Sequence, residues 1–265
     1  LGASLVAALG SAAQKDAILS KLGEGKLKLA LAHEENGARY RLSQVRSTAK
    51  AAGSGYVLNG HKTVVLNGAG ADQLIVSART NGAEGDEQGI SLFLVPRSAA
   101  GVSLHSYPTH DGQRAADVTL KEVKLGSEAL LGTAGEGFAA LEHVTQRGIA
   151  AVCAEAVGGM SALLEITGVY LKTRKQFGVP IGSFQVLQHR MADMLMAMEQ
   201  ARSMAYLAAT KVDSAPLAER RRVISAAKVL VGQAARQVGQ QAVQLHGGIG
   251  VTDELNVSHY FKRLT

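Results

Sequence analysis

The sequence predicts an α+β protein in which an antiparallel β sandwich or barrel is followed by a bundle of long helices. Only a short helical segment precedes them. Two changes of period carry this expectation. Apolar residues recur at helical spacing over 1–27, fall into short strand-like runs bounded by Gly, Asn and Pro over 28–130, and return to three- and four-residue steps from Gly135 onward. With 265 residues the chain can bury a sizeable core and divide into domains, expected at 1–27, 28–130 and 131–265.

The first segment shows Leu5, Leu9, Ile18, Leu19 and Leu22 as its apolar marks. It is short for a domain and reads as the remnant of an N-terminal helical domain that is mostly absent. Strand grammar begins after it. Tyr56-Val57-Leu58 and Thr63-Val64-Val65-Leu66 flank Asn59-Gly60, a dipeptide suited to a primed hairpin turn because both positions tolerate positive φ. Leu74 to Ala78, Ile90 to Val95 (stopped by Pro96), Val102 to Leu104, Val118 to Leu120 and Val123 to Leu125 continue the series. Short strands without intervening helices indicate an antiparallel sandwich or barrel.

Three long helices are then expected, over about 137–173, from Phe184 to about Val212, and over about 217–245. Leu187, Met191, Met194, Leu195 and Met198 form a core seam on the second. Asp213, Ser214 and Pro216 separate it from the third, and a fourth helix begins after Thr252. Long helices with short breaks fit an antiparallel bundle.

Composition excludes several classes. At 46% hydrophobic and 19% charged residues the chain is globular, and no apolar run reaches the ~18–20 residues of a membrane span. The lone Cys153 lies in an Ala/Val-rich helical run, so it reads as a core residue, and one thiol suits a reducing cytoplasm. A net charge of +6 favours anionic partners. Nucleic acid is disfavoured, because Arg220-Arg221-Arg222 has no interleaved aromatics, aromatic content is 4% and Trp is absent. Phosphate-bearing small ligands remain. No metal-ligand spacing, nucleophile elbow or Walker loop is present.

Two stretches carry chemistry. Arg174-Lys175-Gln176-Phe177-Gly178-Val179-Pro180-Ile181-Gly182-Ser183-Phe184-Gln185 sets an arginine, aromatics and amides at a polar elbow between two helices. Guanidinium pairs bidentately with phosphate and amides read polar ring edges, although an ordinary helix–loop–helix with a surface arginine shows the same periodicity. Gln244-Leu245-His246-Gly247-Gly248-Ile249-Gly250 ends the third helix on adjacent glycines, which let another molecule approach the backbone or simply cap the helix.

These two stretches, with Met191-Ala192-Asp193-Met194, Leu58-Asn59-Gly60-His61-Lys62, Asn67-Gly68 and Gly132 to Phe138, resemble the signatures of the acyl-CoA dehydrogenase family, in the right order over nearly the whole chain. The wording of Tyr107-Pro108-Thr109, Asp111 to Arg114 and Phe261 to Thr265 is most similar to the pimeloyl-CoA dehydrogenase small subunits within it. The resemblance implies α,β-dehydrogenation of an acyl-CoA, FAD bound across the interface of a homo- or hetero-oligomer, and an electron-transfer flavoprotein as acceptor. Carried over by position, it implies that Arg174 and Phe177 contact FAD of the neighbouring subunit. Gln185 would join them at the diphosphate, while Gln244, Gly247 and Gly248 would line the adenosine half. The loop Ala32 to Tyr40 and Val64-Val65-Leu66 would lie against the flavin ring.

The departures matter. Glu34, Glu35, Asn36 and Tyr40 stand where most members carry a Thr-Glu-Pro triplet and a later Ser, and Val64-Val65-Leu66 replaces Trp-Ile-Thr/Ser, removing a hydroxyl donor. The family's base would fall near Gly148, which cannot act, or beyond Thr265, so no catalytic residue is assigned. A non-catalytic partner subunit that completes its neighbour's FAD site is the alternative reading.

Overall fold

The computed structural model describes residues 1–265. It forms two compact units, Leu1–Thr145 and Gln146–Thr265, divided inside a helix.

In the first unit α1 (Gly2–Leu9) and α2 (Ala12–Gly23) lead into β1 (Leu29–Ala32), β2 (Thr48–Ala52), β3 (Gly55–Leu66), β4 (Gln73–Arg79), β5 (Ile90–Pro96), β6 (Val102–Pro108), β7 (Arg114–Gly126) and β8 (Leu130–Leu131). Ser11 and Gln14 start α2 with a reciprocal capping box. The strands run in the order β6-β7-β3-β2-β4-β5-β8, with β1 also beside β4. Most pairs are antiparallel, but β1 and β2 both lie parallel to β4, so the sheet is mixed rather than wholly antiparallel. The chain leaves the β4 edge at Ala32, makes an excursion over 33–47, and rejoins that edge at Thr48 opposite Arg79.

Alternation along β4 and β5 serves two cores. Leu74, Val76, Phe93 and Val95 pack with Leu58, Val118 and Leu120, while Ile75, Leu92 and Leu94 pack with Leu5, Val6 and Ile18 of the two helices. Burial on both faces makes these strands near-continuous apolar runs.

Asn59-Gly60 is not a turn. Residues Gly55–Leu66 are one strand, and the tight turn lies at Gly53-Ser54, with Ala52 opposite Gly55 and Gly53 at φ 60°. At Asn59 the register with β7 shifts, and the Asn59 amide donates to Glu122 Oε1 (2.5 Å) and accepts from Glu122 N (2.9 Å). Gly60 permits a close approach instead of a reversal: a Cβ there would stand 2.2 Å from Ser47 Oγ and 2.8 Å from Ser47 Cα.

Ser47 belongs to the cluster that anchors the excursion. Fully buried Lys62 donates to Glu35 Oε1 (2.6 Å) and Ser77 Oγ (3.0 Å). Glu35 also accepts from Arg46 N, Ser47 N and Ser47 Oγ. Burial pushes the Glu35 carboxyl up, but the Lys62 charge and these donors outweigh it and hold it below its ordinary range. Burial in turn pushes the Lys62 ammonium down, and we take the pair as ionised because every carboxylate bond comes from a donor at hydrogen-bonding distance. Removing one partner of such a pair costs about 3–5 kcal/mol. Beside it, burial and then the Lys62 charge lower His33 to about 4, so its ring is neutral at pH 7.

The second unit holds most of α3 (Phe138–Thr173), then β9 (Lys175–Gln176), β10 (Val179–Pro180), α4 (Gln185–Lys211), α5 (Leu217–His246) and α6 (Asn256–Leu264). Cys153, Met160 and Leu163 of α3 meet Met194 and Met198 of α4 and Ile224, Val231 and Val238 of α5 in one core. Leu195, expected in the α4 seam, is 49% exposed. Helix α3 is long and apolar enough to meet the composition of a membrane span, with an 18-residue window of mean hydropathy 1.7. Glu155 and Glu165 interrupt its apolar run, which is why no uninterrupted stretch of that length shows in the sequence.

Gly60→Ala is expected to destabilise the first unit by about 1–3 kcal/mol through overpacking against Ser47. An unchanged denaturation midpoint would contradict the close approach. The unfolded chain protonates His33 near 6.5 while the folded chain refuses the proton until about 4, so the folded state binds fewer protons in that window and stability rises with pH through it. Denaturant titrations at pH 7 and pH 5 should show a loss on the order of 2 kcal/mol that His33→Gln does not suffer.

Candidate functional site

Helix α3 stops at Thr173, and the chain turns back on itself at once. Gln176 lies opposite Val179, so Phe177-Gly178 is a two-residue hairpin turn, with φ 55° and 82°. Both angles are positive, the pattern of a primed turn. Glycine adopts it freely, whereas phenylalanine is strained there by roughly 1–3 kcal/mol. The result is a Phe177 ring 90% exposed, edge-on to Phe184 with centroids 6.0 Å apart. The elbow expected from the sequence is therefore a small hairpin.

Backbone bonds fix it to the bundle. Arg174 N donates to Tyr170 O and Ile181 N to Arg174 O, each at 2.8 Å. The 3₁₀ turn at Ile181–Ser183 lies so close to α3 that a Cβ on Gly182 would meet Leu171 O at 2.9 Å. Gln188 Nε2 then donates to Gly182 O at 2.8 Å. Arg174 is exposed, and its guanidinium meets no partner within the chain. Gln185 is exposed at the first position of α4, whose N-cap Phe184 supplies no side-chain acceptor and whose first turn holds no acid. The positive end of a 27-residue helix is thereby left without a side-chain cap or an acid.

The end of α5 completes the arrangement. Gln244 is exposed, and Gly247 sits at φ 65°, ψ −143°, a conformation essentially open to glycine alone. No atom lies within 4 Å of where a Cβ would stand on Gly247 or Gly248. Tyr170 joins this end to the hairpin: its ring lies 4.4 Å from that of His246 and its hydroxyl donates to His246 O at 3.3 Å. Arg190 of α4 also donates to Gln241 of α5 at 2.9 Å. The structure thus brings Arg174, Phe177, Gln185, Gln244, Gly247 and Gly248 to one end of the second unit, all exposed. Two cationic elements, two free amides, an aromatic face and bare backbone suit the diphosphate, polar ring edges and flat surface of a dinucleotide. The donor set fits FAD.

The flavin-facing stretches expected in the first unit also come together. Thr63 N donates to Glu34 O at 2.9 Å, tying the excursion to β3. Val64 is left-handed at φ 51°, held by bonds from its N–H to Tyr107 Oη (3.2 Å) and Asp117 Oδ1 (3.3 Å). Tyr107 donates to the same carboxylate at 2.8 Å. Val64 and Leu66 are 52% and 57% exposed and Val65 is buried, so residues 64–66 offer an apolar surface and backbone groups but no hydroxyl. Sequence reasoning missed the Tyr107–Asp117 clamp and the Tyr170–His246 stack, since a β-branched residue gives no signal of positive φ and neither pair is close in sequence.

Known proteins share this chain's sequence pattern and fold. The chain matches the acyl-CoA dehydrogenase middle domain over residues 30–125 and the acyl-CoA dehydrogenase C-terminal domain over residues 135–265. A probable acyl-CoA dehydrogenase, YngJ of Bacillus subtilis, is 32% identical over 99% of this chain and 69% of its own length. The CarC subunit of the caffeyl-CoA reductase–Etf complex of Acetobacterium woodii is 30% identical over 96% of this chain and 67% of its own. The FAD complex of PigA superposes with a TM-score of 0.91 at 31% identity, covering 99% of this chain and 69% of that one. The chain therefore spans about two thirds of the length of these relatives. On both domain matches and on this level of identity, the chain belongs to the acyl-CoA dehydrogenase family, whose members bind FAD.

Proposed function

We propose that this chain is a subunit of an FAD-dependent acyl-CoA dehydrogenase that converts an acyl-CoA to its trans-2-enoyl-CoA. The observation that carries this reading is the exposed Arg174 guanidinium without a partner, at the same hairpin that leads into a start of α4 lacking a side-chain cap and an acid in its first turn. Arg174 and Gln185 would take the diphosphate, Phe177 would pack on the cofactor, and Gln244 with the Gly247-Gly248 backbone would line its adenosine half. The reaction removes one hydrogen from each of the α and β carbons, and FAD when bound supplies the two-electron acceptor. Val64 and Leu66 would exclude water from the flavin ring, and backbone N–H groups would replace the missing hydroxyl donor. An electron-transfer flavoprotein is the proposed electron acceptor, in keeping with the Etf complex of the related CarC subunit.

Leu66 in place of a hydroxyl residue favours one second reading, a partner subunit that completes a neighbour's FAD site without turning over substrate itself. Anaerobic titration of the assembled protein with dicarboxylyl- and medium-chain acyl-CoA thioesters, followed by flavin absorbance, separates the two. Bleaching of the flavin band is the expected result. A yellow protein that no thioester bleaches would support the partner subunit, and a colourless one would overturn FAD binding.

A further inference from the structure

Tyr170 and His246 lie outside every role assigned above, yet they link its two halves. Tyr170 stands one helical turn before Arg174 and accepts the Arg174 N–H on its carbonyl, so the two move together. Its hydroxyl donates to the His246 carbonyl, which forms the peptide bond to Gly247. The rings stack at 4.4 Å and 30°. The imidazole is pinned in turn, donating from Nδ1 to Ala242 O at 2.8 Å, and only 3% of His246 is exposed. The other ring nitrogen, Nε2, is buried with no partner. A buried polar nitrogen without a partner is a cost that a phenyl ring of similar size would avoid, so packing alone does not account for a histidine here.

We infer that Tyr170 and His246 are positioning residues, which hold the Arg174 hairpin in register with the Gly247-Gly248 backbone so that both can grip one ligand. This rests on the FAD reading above. The hinge between the two anchors is short: a single carbonyl on each side separates the Tyr170–His246 contact from Arg174 and from Gly247. Gly247 occupies a conformation with no restoring side chain; its N–H is held by Gln244 O, and the hydroxyl bond with the imidazole behind it fixes the other side of its preceding peptide.

The test uses two conservative variants of the assembled protein, with FAD affinity read from quenching of flavin fluorescence and stability from the urea midpoint. Tyr170→Phe keeps the ring and drops the hydroxyl, and is expected to weaken FAD binding about three- to tenfold, the range of one hydrogen bond. His246→Phe keeps the stack and removes the buried orphan, and is expected to leave the midpoint no lower while FAD binding weakens at least about threefold. Residues kept for packing alone would show affinity tracking stability. If the wild type binds FAD and both variants bind it equally well, the positioning role is overturned. If the wild type takes up no FAD, the reading beneath it falls and takes this role with it.

Discussion

A two-residue turn in which both φ angles are positive decides where α3 stops and α4 starts, and the candidate site follows from that constraint. Phe177-Gly178 cannot extend a helix, so α3 ends at Thr173 and Arg174, still bonded through its N–H to Tyr170 O, opens the hairpin with its side chain exposed. The return strand is too short to carry the chain away, and Gly182 lets it pass against Leu171 before α4 begins. A guanidinium, an exposed ring and an uncapped helix start are thereby set within a dozen residues. Strain at Phe177 is tolerated because the bonds from Arg174 to Tyr170 and from Ile181 to Arg174 over-determine the loop.

The first unit uses a different device for a similar end. Its excursion over residues 33–47 buries only Ala38 and Val45 among its apolar residues, and a buried ion pair helps to hold it, with Arg79 donating to Val45 O and Ser43 O. Glu35 collects a cation, a hydroxyl and two backbone N–H groups, and Lys62 reaches it from β3. The loop is thus fastened to the strand that presents Val64 and Leu66. Glu35 sits inside the loop Ala32 to Tyr40 and Lys62 two residues before Val64, the two stretches that the family resemblance implies lie against the flavin ring.

How far the sequence discloses this varies with the range of the interaction. Long helices were legible because their seams repeat every three or four residues; all three long boundaries fall within about two residues of where periodicity puts them. Strands β4 and β5 were legible as apolar runs. Asn59-Gly60 misled because the same residues that suit a turn also suit a register shift and a close approach, and only the partners Glu122 and Ser47, distant in sequence, distinguish the two. The parallel pairing of β1 and β2 with β4 was hidden for the same reason. In the site, the six expected cofactor residues lie in two motifs that composition alone could not join; Tyr170 joins them from a third place in the chain.

The proposed cofactor site depends on Arg174 meeting a phosphate-bearing ligand. The most direct measurement is the FAD retained per chain by Arg174→Ala in the assembled protein after gel filtration, beside the wild type. Loss of the charge-assisted bonds predicts affinity lower by about 10- to 100-fold and a protein that elutes nearly colourless while remaining folded. Retention of FAD at the wild-type ratio would contradict it.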